Sequence, residues 1–80
     1  TFIEVYPNPN EGLFTMEIAG FTGDFRIVVF NSLGQIVTDN EVAVSAFHEE
    51  KFNLTDQESG LYFIRIVGGD VNETRRVVVK

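Results

Sequence analysis

Eight residues, Gly60-Leu61-Tyr62-Phe63-Ile64-Arg65-Ile66-Val67, constrain this chain more than any other stretch. The run is rich in β-branched and aromatic residues, opens on a glycine and leads into Gly68-Gly69. In a strand, Tyr62, Ile64 and Ile66 share one face, and Leu61, Phe63, Arg65 and Val67 share the other. An unpartnered charge is costly to bury, so the face without Arg65 is assigned to the core. The opposite face still carries three apolar residues, which places this segment in the middle of a sheet.

The rest of the chain reads as short strands separated by turns. Phe2–Tyr6 alternates, and Tyr6-Pro7-Asn8-Pro9-Asn10-Glu11-Gly12 stops it, because proline supplies no N–H to a ladder. Leu13–Ala19 alternates most cleanly, with Phe14, Met16 and Ile18 against Thr15 and Glu17. Gly20–Asp24 is expected to turn, and Phe25–Phe30 to form the next strand. Asn31-Ser32-Leu33-Gly34 suits a tight hairpin, with Gly34 in the left-handed position, leading into Gln35–Thr38. Asp39-Asn40-Glu41 reads as a break, Val42–Ala46 as strand or loop, and Phe47–Leu54 as a weak strand. Thr55–Glu58 has capping-box spacing, but Ser59-Gly60 limits it to one helical turn at most. For Gly60 itself, close approach of a neighbouring strand is an alternative to a conformational requirement. Gly68–Asn72 turns, and Glu73–Lys80 closes the chain as a strand.

About seven short antiparallel strands with no credible helix point to an all-β fold, an immunoglobulin-like β-sandwich whose strand order stays open. The expected inward set is Ile3, Val5, Phe14, Met16, Ile18, Ile27, Val29, Tyr62, Ile64, Ile66, Val77 and Val79. Eighty residues make one domain, 1–80, which buries only roughly 60–65 % of its unfolded surface, so stability on the order of 5 kcal/mol is expected. Eight phenylalanines supply aromatic mass for so small a core.

The chemistry is largely exclusion. Without cysteine there is neither a disulfide framework nor a thiolate metal site. Twelve acidic against six basic residues, a net charge of −6, argue against nucleic acid. No apolar run approaches the ~18–20 residues that span a bilayer. The single histidine, His48, cannot complete a nucleophilic triad and reads as a solvated surface residue beside Glu49-Glu50. On a strand these two carboxylates point to opposite faces, which suits no glycosidase pair. Asp39–Glu41 and Asp70–Glu73 lack the ligand spacing of a calcium loop and read as solvated turns. Two sequons, at Asn53 and Asn72, fall where Asn and Thr also serve turns. No enzyme and no cofactor is expected.

Four segments, in order and spacing, resemble the C-terminal sorting domain of the type IX secretion system, the Por secretion tail. They are Tyr6-Pro7-Asn8-Pro9-Asn10-Glu11-Gly12-Leu13-Phe14, Val29–Val37, Ser59–Ile66 and Thr74–Lys80. Asn31 stands where Asp is more usual, and Arg75-Arg76 where a Lys pair is commoner. The resemblance implies a β-sandwich tail on secreted cargo of Gram-negative bacteria. The tail crosses the periplasm with its N-terminal cargo and is recognised by the outer-membrane translocon. It is commonly removed at the cell surface by a sortase-like cysteine peptidase, and some cargo is joined to lipopolysaccharide. Cleavage is then expected before Phe2 or upstream of Thr1. A chain opening on Thr1 without a signal peptide fits a piece of something larger.

The sorting-signal residues are accordingly Tyr6, Pro7, Asn8, Pro9, Gly34, Gly60, Tyr62, Arg75, Arg76 and Lys80. Three of the six basic residues fall in the last six positions, so an acidic domain ends in a basic tip. That tip serves either recognition or protection of an edge strand from aggregation. The prolines are expected to shape a turn rather than to touch the translocon. The competing reading is a carbohydrate-binding or adhesive β-sandwich appended to a secreted enzyme. The absence of Trp and the presence of only two Tyr weigh against it.

Overall fold

The computed structural model describes residues 2–80. The expected cleavage point therefore lies outside the described residues. Five strands follow one another: β1 Phe2–Tyr6, β2 Leu13–Asn31, β3 Ile36–Asn53, β4 Gly60–Gly68 and β5 Val71–Val79. Every pairing between them is antiparallel, in the order β1-β2-β4-β5, with β3 on the other edge of β2.

The all-β, antiparallel expectation holds, but the seven-stranded sandwich does not. Five strands form one sheet that curls into a half-barrel. Two expected interruptions are continuous strand instead. At Gly20–Asp24 the register moves from Ala19↔Phe47 to Thr22↔Ser45, leaving one extra residue on β2. That is a bulge, which bends and twists a strand without reversing it. Gly20 and Gly23 supply positive φ there, and Ala46 on β3 opposite has φ +68°. Asp39-Asn40-Glu41 stays in the ladder opposite Val28, Ile27 and Arg26. Asp39 accepts both guanidinium bonds of Arg26, at 2.9 and 2.5 Å. A cross-strand partner thus overrides three residues of low strand propensity.

Both long strands serve both halves of the curl. Residues 13–19 and 47–53 pair beside β1, and the other ends of β2 and β3 pair beside β4 and β5. The concave side holds the core. Of the twelve residues expected inward, eleven are buried, and Val5 is half-buried against them. Phe25, Val44, Phe52 and Leu54 complete the core. Phe14 and Phe52, directly opposed in register, stack with ring centroids 5.1 Å apart.

The Asn31 hairpin forms as its residues dictate. Gly34 N–H donates to Asn31 O at 2.9 Å, the Asn31 carboxamide oxygen accepts from Leu33 and Gln35, and Gly34 sits at φ +84°. Gly60 is also conformational, at φ +153°, and a Cβ there would meet nothing within 4 Å. Close approach falls at Gly68 instead, where a Cβ would lie 2.5 Å from Asp24 O and from the Phe25 ring. Thr55–Ser59 is a turn, with Gln57 N–H on Leu54 O at 3.0 Å.

Candidate functional site

The segment between β1 and β2 finds its partners at the far end of the chain. Pro7 and Pro9 bring no N–H, so the loop cannot pair as a strand; Asn8 and Asn10 do so in their place. The Asn8 carboxamide donates to Arg76 O at 2.8 Å and accepts from Val78 N–H at 3.0 Å. It thereby imitates one residue of a neighbouring strand. Asn10 continues through its backbone, donating to Val78 O at 3.0 Å and accepting from Lys80 N–H at 2.8 Å, in a parallel bridge to Val79. Its own side chain is turned inward and 5 % exposed, donating to Pro7 O and accepting from Gly12 N–H. The outer edge of β5, an open ladder that would otherwise invite another strand, is closed over residues 76–80.

Other expected site residues gather at the same end of the sheet. Gly60 lies opposite Val79, Tyr62 opposite Val77, and Asn31 of the Gly34 hairpin opposite Tyr62. Tyr62 is buried and its hydroxyl donates to Glu58 O at 2.5 Å. Tyr6, Pro7, Asn8 and Pro9 are exposed, so their contribution here is made through the loop they shape. Pro7 and Pro9 both follow cis peptide bonds.

The three basic residues at the C-terminal end separate. Arg75 is half-buried, and its guanidinium donates to Glu73 at 3.1 Å. Arg76 and Lys80 are exposed on the convex face and form no ion pair among the described residues. Arg76 stands opposite Phe63, which stacks on Phe30 at 5.5 Å between centroids. Leu61 and Val78 form the next opposed pair, and Ile36, 61 % exposed, extends the face on β3. An apolar, aromatic stripe thus shares one outer surface with Arg76, Lys80 and a third exposed cation without an ion pair among the described residues, Arg65, opposite Val28.

The convex face of the other half is acidic. Glu4, Glu17 and Glu49 stand abreast on β1, β2 and β3, an arrangement that like-charge repulsion disfavours. The Tyr6 hydroxyl donates to the Glu17 carboxylate. Its pKa is pushed up to about 12, first by that hydrogen bond, then by partial desolvation and the charges of Glu17, Glu49 and Glu4. Since the folded pKa lies above the ordinary 10.0, this contribution is present below pH 10 and lost as pH rises through about 12. A phenolate absorbance titration should therefore show Tyr6 ionising near pH 12, and Glu17→Ala should return it toward 10.0. Ionisation near 10.0 in the unaltered chain would show the bond absent in solution.

His48 is not a freely solvated histidine. It is half-buried, with Nε2 3.0 Å from Glu50, whose other oxygen accepts from Asn40 at 2.8 Å. Register explains it: His48 and Glu50 oppose Ile18 and Met16 and share their inward face. Glu49 points outward, as the alternation requires. Asn10 and Gly12 were missed as structural residues. Gly12 has φ +109°, and a Cβ there would lie 3.0 Å from the Thr55 backbone. The available signal was an Asn two residues before a Gly, since Asn side chains cap the backbone two positions on.

No helix among the described residues is long and apolar enough to cross a membrane. A search of curated proteins returns no match to the chain. A family profile described as the secretion system C-terminal sorting domain matches residues 4–80, a span that takes in all four converging segments. The chain belongs to this family, the C-terminal sorting signals of type IX secretion, whose members direct an N-terminal cargo to the cell surface or beyond.

Proposed function

We propose that this chain is a folded signal, 1–80, that carries its cargo across the periplasm to the outer-membrane translocon of the type IX system. A sortase-like cysteine peptidase then removes it in the linker before β1. The observation that carries this reading is the interlock of the two ends. Asn8 and Asn10 hold the backbone of residues 76–80, so the first family segment presents the last one in a defined shape. The surface the translocon reads is the convex face bearing Arg76, Lys80 and the Phe30–Phe63 stack. Tyr6, Pro7, Asn8, Pro9, Gly34, Gly60 and Tyr62 build that surface without being read themselves, and Arg75 is held by Glu73.

The carbohydrate-binding alternative is disfavoured by the tyrosines. Tyr62 is in the core and the Tyr6 hydroxyl is engaged by Glu17, so neither offers a free platform for a sugar. Residues 1–80 fused to a periplasmic reporter, in a cell with a working type IX system, should bring the reporter to the cell surface or medium. A reporter that stays in the periplasm while the domain is folded would overturn the proposal.

A further inference from the structure

One edge of β2 is paired along most of its length, but by two different strands. β1 covers it as far as Ala19, where Phe2 is the partner, and β4 takes over at Arg26, opposite Val67. Between them, residues 20–25 have no strand partner on that side among the described residues. The β4–β5 turn closes the far end of the interval, because Gly68 sits hard against Asp24 and Phe25. What remains is a slot along residues 21–23, roughly 10 Å at 3.3 Å per residue. It is the floor of a groove of about 520 Å³ lined by Phe21, Thr22, Gly23, Asp24, Gly69 and Asp70, among others.

The direction of β1 says what fits. β1 runs antiparallel to β2, so each residue upstream of Phe2, if it stays extended, advances one position along β2 into the slot. We propose that, in the cargo-linked protein, the residues immediately upstream of β1 lie in this groove and extend β1 along β2 toward Gly68. This rests on the reading that cargo precedes the domain. A separate peptide or second copy would have to enter a short slot bounded at one end by β1 and at the other by the Gly68 turn. The tethered segment is already in register and arrives at the high effective concentration of an intramolecular event. Its docking satisfies backbone groups that the interval leaves open. The consequence is regulatory: residues next to β1 are held as strand and withheld from a peptidase, which needs an accessible extended backbone, so cutting falls beyond the groove.

The test uses the full cargo-linked chain, purified, with amide exchange read at Phe21, Thr22 and Gly23. Two variants accompany it: one with alternating prolines in the few residues upstream of β1, and Asp70→Trp, which fills the groove from an exposed turn. Expected is at least tenfold slower exchange at one or more of these amides in the unaltered chain than in either variant. A non-specific protease should also cut next to β1 faster in both variants. Equal exchange and equal cutting in all three chains would overturn the proposal. Because this is read on purified protein, failed export of the cargo would overturn the sorting reading and leave this one standing.

Discussion

Arg76→Glu combined with Lys80→Glu is expected to leave the domain folded and to hold a fused reporter in the periplasm. Both side chains are exposed, and exposed changes usually cost under ~0.5 kcal/mol. For a domain of this size that is a fall in melting temperature of under about 4 °C. The backbone of both residues still bonds to the Asn8–Asn10 segment, because those bonds use the main-chain Arg76 O and Lys80 N–H. What changes is the local field: the cations at the C-terminal end of the Phe30–Phe63 face become carboxylates, while Arg26 and Arg65 stay on that face. Truncating β5 would be a poorer experiment. It removes buried Val77 and Val79, at roughly 1.5–3 kcal/mol each, and so confuses unfolding with lost recognition. If the doubly reversed domain melts normally and its reporter still leaves the cell at the normal rate, the cations only guard an edge. Recognition would then rest on the apolar part of the face, where Phe63→Ser is the next variant to measure.

The second large effect is on stability. Asn10→Ala should lower the melting temperature far more than Asn8→Ala, although both residues belong to the same loop. The Asn10 side chain is buried and satisfies Gly12 N–H and Pro7 O, so its loss strands polar groups in a buried turn at about 1–3 kcal/mol. At roughly 4–8 °C per kcal/mol in a domain this small, the shift is plain in a melting curve. The Asn8 carboxamide is exposed, and water replaces its two bonds to β5, so about 1 kcal/mol is expected there. Thermal unfolding of the two variants decides the order. Equal shifts would mean that the loop is held by its backbone bridge to Val79 alone.

The interlock shows where reading the sequence stops. Alternation along Leu13–Ala19 and Gly60–Val67 placed Phe14, Met16, Ile18, Tyr62, Ile64 and Ile66 inward, and all six are buried. Period-two patterning is local, and any sheet with one dry face must obey it. The Asn31–Gly34 hairpin was equally legible, because its geometry depends on four neighbouring residues. The number of strands was not legible. Gly20–Asp24 reads as a turn on propensity, yet whether glycines reverse a chain or only bend it depends on what lies alongside. Here β3 runs past the bulge and keeps β2 in one ladder.

The residues of the sorting-signal segments could be named from the sequence, but not what joins them. From the amino acids alone follow an all-β chain, its inward face, its tight turn, its acidic body and basic tip, and its family. Each is either a local pattern or a sum over residues. Only the tertiary structure decided that Asn8 and Asn10 close the edge of a strand some 70 residues away. It alone turned His48 and Glu50 inward, engaged Arg75 with Glu73, and put Arg76 and Lys80 beside the Phe30–Phe63 stack. Those outcomes depend on which strands are neighbours and in what register. Such contacts are made between residues far apart in sequence, and no local pattern encodes their partners.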